Sequence, residues 1–152
     1  MGESGTHMFY GQKELTIDDK SRLVLPSLYR DGFTEGLCFA TLGLDNCIQL
    51  YPKTTFEENA KSIMGLSEFS KEARELRRIY LGNSFSIQID SHNRILLPKT
   101  LQDKTGIGKK VMVVGLFDHL EIWDSDAYEK MEKNGEENYS ENARKLLEGN
   151  NL

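Results

Sequence analysis

Apolar and polar residues alternate over Leu15-Thr16-Ile17 and again over Ile87-Gln88-Ile89, the two-residue period of a strand with one buried face. A few positions later Leu23-Val24-Leu25 and Ile95-Leu96-Leu97 form short apolar runs suited to buried strands, stopped by Pro26 and Pro98. A short helix is expected after each proline, which the first helical turn tolerates well. Each half then predicts a strand pair, residues 38–42 with 47–51 and residues 111–114 with 120–123. The connections Gly43-Leu44-Asp45-Asn46 and Gly115-Leu116-Phe117-Asp118 read as hairpin turns. Helix starts are signalled by Thr54 three residues before Glu57 and by Asp126 three before Glu129. Ser70 opens another predicted helix with Glu72 early, Arg77 and Arg78 late and Gly82 as its stop, and the tail from Ser140 to Gly149 repeats that grammar.

The two halves are copies. The shift that carries Asp18 onto Asp90 also carries Ile17 onto Ile89, Arg22 onto Arg94, Leu25-Pro26 onto Leu97-Pro98, Gly43-Leu44 onto Gly115-Leu116 and Glu57 onto Glu129, without a gap. The expected fold class is therefore mainly β with packed helices, an α+β arrangement of two tandem duplicated units. Its expected division is a first repeat over 8–66, a connecting helix over 67–82, a second repeat over 83–133 and an acidic tail over 134–152. The first seven residues, MGESGTH, read as an expression scar and carry no weight in the fold.

At the same place in each copy an acid stands four residues before an arginine, "DDKSR" from Asp18 and "DSHNR" from Asp90. If Asp18 ends one strand and Arg22 begins the next, the three residues between them form a tight hairpin loop with acid and base face to face. Such a loop calls for a left-handed residue at its last position. Asn93 suits that conformation, while Ser21 is less comfortable in it, so the first turn is expected to be strained or differently shaped. An exposed guanidinium held by a facing carboxylate is an oriented fork that can grip phosphate or a guanine edge with two hydrogen bonds, which lysine cannot do. The plain alternative is a surface ion pair between strands, worth about 1 kcal/mol at most.

The net charge of −5 argues against nucleic acid until it is divided along the chain. Ten of the 24 acids but only four of the 19 basic residues lie from Asp118 onward, so the body is close to neutral and leaves room for a basic patch. No apolar run approaches the roughly 20 residues of a membrane span, and a soluble chain is expected. Cys38 and Cys47 are too few for a disulfide framework and lack metal or redox spacing, so buried thiols in a reducing compartment are expected. Asp18 or Asp90 could serve as a general base, yet no histidine follows in a triad pattern, no glycine-rich phosphate loop occurs, and His92 and His119 have no companions at metal spacing. A protein-binding module, antitoxin-like or a scaffold for assembly, is the other reading left open.

With these residues in place, "MFYGQKELTIDDKSRLVLPSLYR" from Met8, "IDSHNRILLPKTLQDKTGI" and "VMVVGLFDHLEIWD" resemble the MraZ family of bacterial transcriptional regulators over nearly the whole chain. The resemblance implies two halves of the AbrB/SpoVT-like, swapped-hairpin type and a homo-oligomer closed into a ring. It also implies binding to short repeated boxes of double-stranded promoter DNA ahead of the division and cell-wall gene cluster, in a cytoplasmic, nucleoid-associated protein. No cofactor, metal, membrane or small-molecule substrate is implied. Carried over by position, the DNA-reading arginine is Arg22 and its orienting acid Asp18, with Lys13 and Lys20 as candidates for phosphate contacts. Arg94 and Asp90 hold the equivalent places in the second copy, where DNA contact and assembly both stay open. Ser21 stands where such proteins often have glycine, and Asp19 adds a negative charge beside the contact.

Overall fold

Each apolar run becomes a strand, but the strands choose partners across the two copies. The structure, a computed structural model, describes residues 7–148. The first copy contains β1 (Gln12–Thr16), β2 (Arg22–Val24), the one-turn helix α1 (Ser27–Arg30), β3 (Leu37–Leu42), β4 (Ile48–Tyr51), α2 (Lys53–Met64) and α3 (Lys71–Gly82). The second contains β5 (Phe85–Gln88), β6 (Arg94–Leu96), α4 (Lys99–Thr105), β7 (Lys110–Gly115), β8 (Leu120–Asp124), α5 (Ser125–Glu137) and α6 (Tyr139–Ala143), followed by a wider helical turn over Arg144–Glu148. Of the segment read as an expression scar only His7 lies among the described residues, and Gly149, the expected stop of the tail helix, lies outside them.

Six strands form one antiparallel sheet in the order β1-β7-β8-β4-β3-β5, and β2 pairs with β6 in a separate two-stranded ribbon. The order reads the same from either end once β1 is equated with β5, β3 with β7 and β4 with β8. The duplication has thus become a pseudo-twofold arrangement in which β1 of the first copy pairs with β7 of the second and β5 of the second with β3 of the first. The local hairpin expected from spacing alone between the strands flanking Asp18 and Arg22 is therefore corrected, and the exchanged hairpins implied by the resemblance are what the chain adopts. The chain closes only the mouth of the turn, with Asp18 N–H donating to Arg22 O at 2.9 Å and Ser21 N–H to Asp18 O at 3.0 Å. Beyond it β1 and β2 diverge. A local hairpin would leave the outer edges of β7 and β3 unpaired, and unpaired peptide groups along a sheet edge are costly unless water or another strand meets them.

The exchange builds one core from both copies. Leu23, Leu25 and Ile17 meet their counterparts Ile95, Leu97 and Ile89, together with Leu50, Ile48, Val111, Leu120 and Ile122, all buried. Cys38 and Cys47 are free and fully buried. Burial pushes the Cys38 thiol up to about 12 and the Cys47 thiol up as well, so both sit in the core as small apolar groups.

Helix boundaries depart from the expected caps in three places. The second helix of the first copy starts after Pro52, whose φ of −62° and ψ of 153° turn the chain into it, so Thr54 lies inside its first turn. The matching helix α5 is capped by Asp124, whose Oδ2 accepts from Ala127 N–H at 3.3 Å, so Asp126 is also internal. In the tail the chain bends once at Asn138 and resumes as α6, which places Ser140 within a helix. Ser70 caps α3 as expected, accepting from Ala73 N–H at 3.1 Å, but the helix runs through Gly82 and ends at Asn83.

Candidate nucleic-acid interface

The two acid-to-arginine turns have the same shape. Asp18 Oδ1 accepts from the backbone N–H groups of Lys20 and Arg22, both at 2.9 Å, and Asp18 Oδ2 accepts from Arg22 Nε at 2.8 Å. Asp90 repeats this with His92 N–H at 2.8 Å, Arg94 N–H at 2.9 Å and Arg94 Nε at 2.7 Å. Ser21 and Asn93 both take φ of 62°. The left-handed position predicted from spacing is thus present in each, and the expectation that serine would give the first turn a different shape is corrected. The carbonyls of the two left-handed residues explain why both are locked. Ser21 O accepts from Leu97 N–H at 2.9 Å and Asn93 O from Leu25 N–H at 2.8 Å, so each turn is pinned by the other copy's strand.

Charge-assisted hydrogen bonds hold both acids ionised. The Arg22 backbone N–H is the foremost cause that keeps the Asp18 carboxyl below its ordinary value, and the Arg94 backbone N–H does the same for Asp90, drawing it down to about 2. Because the carboxylates engage the arginines through Nε, the two terminal amino groups of each guanidinium make no hydrogen bond among the described residues. Those two groups are the ones that address a guanine edge or a phosphate in bidentate fashion.

The ribbon decides where the arginines point. Its register sets Arg22 opposite Leu96, Leu23 opposite Ile95 and Val24 opposite Arg94. Side chains alternate between faces along a strand, so Leu23 and Ile95 fill the core while Arg22, Val24, Arg94 and Leu96 share the outer face. Val24 and Leu96 are 54% and 59% exposed there. These two aliphatic residues went unnoticed in the sequence, where they read as members of buried strands; only the β2–β6 pairing shows that they flank the arginines. Lys20 lies in the first turn beside Arg22, its backbone N–H donating to Asp18 Oδ1, and the β2–β6 pairing brings Asp90 and Arg94 to the same ribbon. Lys13 is not on that ribbon: it is exposed on β1, opposite Val113 in the large sheet. Asp19 has Lys109 Nζ at 3.5 Å, a cation brought alongside by the β1–β7 pairing, which offsets the negative charge next to Arg22.

Elsewhere, His119 stacks on Tyr51 with ring centroids 4.8 Å apart and has Nδ1 2.8 Å from Asp118 Oδ1, and His92 lies in the second turn. Among the described residues no cluster of three or more His, Cys, Asp or Glu is placed to hold a metal ion, and no helix is long and apolar enough to cross a membrane.

Fold and site together define a duplicated α+β protein with exchanged strands, whose distinctive chemistry is a pair of carboxylate-held arginines on one exposed ribbon. The chain belongs to the MraZ family. The family model described as "MraZ protein, putative antitoxin-like" matches it twice, over residues 8–79 and 80–149. The chain is 35% identical over 141 residues to the transcriptional regulator MraZ of Roseiflexus castenholzii, covering 93% of this chain and 98% of that protein. It is 36% identical over 141 residues to the regulator of the same name from Ureaplasma parvum, covering 92% and 97%. The counterpart from Mycoplasmoides gallisepticum is 32% identical over 139 residues, covering 91% and 97%. The role named for these relatives is regulatory and not catalytic.

Proposed function

We propose that this protein regulates transcription by binding repeated promoter boxes in double-stranded DNA, through the outer face of the β2–β6 ribbon, as a ring-shaped homo-oligomer. The genes under its control are those of division and cell-wall synthesis, and the protein works in the cytoplasm on the nucleoid. The observation that carries this reading is the presence of Arg22 and Arg94, each fixed by its own aspartate, on a single exposed two-stranded ribbon. A two-stranded ribbon fits the major groove, where arginine distinguishes guanine. In this reading Arg22 and Arg94 read bases, Asp18 and Asp90 position them, and Lys20 contacts phosphate; Lys13, on the neighbouring sheet, reaches only a more distant phosphate. Val24 and Leu96 make apolar contact between the two arginines.

Net charge, at −5, does not supply the affinity of this chain; local basic contacts repeated along the duplex do. When several weakly binding subunits meet boxes at matching intervals on one duplex, apparent affinity rises by roughly 10²- to 10⁴-fold. Gel shifts on one box and on tandem boxes, with Arg22→Ala and Arg22→Lys, test the reading. Loss of one bidentate base contact corresponds to about 1–3 kcal/mol, so both variants should lose tandem-box binding while keeping the mass of the assembly. Unaltered gel-shift affinity in Arg22→Ala would remove Arg22 from the interface. A steep loss of binding with rising salt is expected of phosphate contacts, whereas binding through an apolar protein surface would be nearly indifferent to it.

A further inference from the structure

The six-stranded sheet has two edges, β1 and β5. Edge strands offer unpaired N–H and C=O groups to any extended chain, and charge, proline or a covering element commonly blocks them. On β1, Lys13 and Glu14 supply charge, and the strand is strapped to α5: Gln12 Nε2 donates to Glu132 Oε2 at 3.0 Å and Tyr128 donates to Gln12 Oε1 at 2.8 Å. On β5 the sequence is Phe-Ser-Ile-Gln, with neither charge nor proline. Ile89 N–H donates to Gly36 O at 2.7 Å. By the alternation of an antiparallel ladder, Ile87 and Phe85 then also bond to β3, while Ser86 and Gln88 direct their peptide groups away from it.

Alongside β5 runs a groove of 680 Å³, walled by the Lys20–Ser21 turn, by Leu96, Leu97 and Pro98, and by the start of α4. Its walls are mostly apolar. Two lysines, Lys20 and Lys99, stand on it, and among the described residues no acidic side chain lines it; Lys99 makes an exposed pair with Asp103 at 3.5 Å.

We infer that this groove is a docking site for an extended acidic peptide from a partner protein, added as a further strand on β5 with its carboxylates against Lys20 and Lys99. Strand addition draws affinity from the main chain and specificity from alternate side chains. A strand of four residues, the length of β5, spans about 13 Å. Charge selects the occupant: lysines on the groove with no acid among them favour an acidic strand. Neither edge strand of a second copy matches that charge as well: β1 carries Lys13 and is already strapped to α5, and β5 carries no carboxylate. A peptide seated there touches Lys20 and Ser21, next to Arg22, so it competes with DNA for the first turn. That competition rests on the DNA reading proposed above; the peptide site does not.

Fluorescence anisotropy of the full chain with a labelled octapeptide of alternating valine and glutamate tests the site. Saturable binding is expected, weakened roughly tenfold or more by the double variant Ser86→Glu, Gln88→Glu, which sets two like charges against the added strand. N-methylation of alternate peptide amides should abolish it. Both substituted side chains are exposed, and circular dichroism checks that the variant stays folded. Absence of binding, equal binding of the peptide with lysine in place of glutamate, or indifference to the double variant overturns the site. A change in assembly mass in the double variant would put a second copy in the groove and overturns it as well. In the second arm, unlabelled acidic peptide added to a complex with tandem-box DNA should release the DNA. Peptide bound with DNA retained overturns the competition, and a chain that takes the peptide but no DNA refutes the DNA reading alone.

Discussion

Ser21 and Asn93 occupy the same left-handed position, and their chemistry separates them. An L-residue there suffers a close approach of Cβ to a carbonyl, worth about 1–2 kcal/mol, which asparagine offsets better than serine by local hydrogen bonding. Ser21→Gly should therefore raise stability by about 0.5–1 kcal/mol, and Asn93→Gly by less, measured by urea denaturation. The two aspartates add a pH dependence. Asp90 is drawn down to about 2 from an ordinary 3.8, and Asp18 is lowered in the same direction. A carboxylate that binds its proton less readily when folded stabilises the fold fully above its unfolded value and loses that contribution as pH falls through its folded value. The loss belongs to the window from about pH 4 down to about pH 2. Denaturation midpoints followed across that range should fall less in the double variant Asp18→Asn, Asp90→Asn than in the native protein. This much was readable from a spacing of four residues, because a turn this short leaves acid and arginine nowhere else to go.

Among the elements, the β2–β6 ribbon decides most. It consists of two three-residue strands, too short to stand alone, and is anchored because Leu23 and Ile95 are fully buried beneath it. Leu23→Ala should cost about 2–5 kcal/mol, loosen both arginines at once and lower DNA affinity together with the melting temperature. Arg22→Ala, by contrast, should lower affinity with little change in melting temperature, since it removes only an exposed ion pair. In α3, Ser70→Ala removes the side-chain cap and should cost about 1 kcal/mol. Capping was legible at Ser70 because the residue before that helix is free to take the extended conformation. It was misread at Thr54 and Asp126, where the chain arrives directly from β4 or β8 and enters the helix earlier. At Ser140 the helical path had already begun, so the same residue pattern marked no boundary.

For the whole molecule, the exchange of β1 and β5 means that neither repeat closes its own sheet. A fragment of residues 8–82 has β1 without β7 and β2 without β6. It should not exist as a folded monomer; either it stays unfolded or it pairs with a second copy, whose β3 substitutes for β7. Mixed with residues 83–148, it should form a one-to-one complex with the circular dichroism of the intact chain. Analytical ultracentrifugation of each fragment and of the mixture distinguishes these states, and a folded monomer from either half would contradict the interleaved core.

The amino-acid sequence by itself determined the strands and helices, the duplication, the two turns with their left-handed residues and the pairing of each aspartate with its arginine. Apart from the duplication, which is read by comparing the two halves, these depend on residues within a few positions of one another, where sterics and single hydrogen bonds decide. The residues around each turn left open whether β2 meets β6 or β1; tertiary structure decided it, and with the β2–β6 pairing set Arg22 and Arg94 on one face and exposed Val24 and Leu96, while the β1–β7 pairing brought Lys109 to Asp19. Either pairing satisfies the local pattern equally well. What separates them is the joint burial of both copies' apolar runs in a single core and the closure of two sheet edges, energies that come into being only when distant parts of the chain are already side by side.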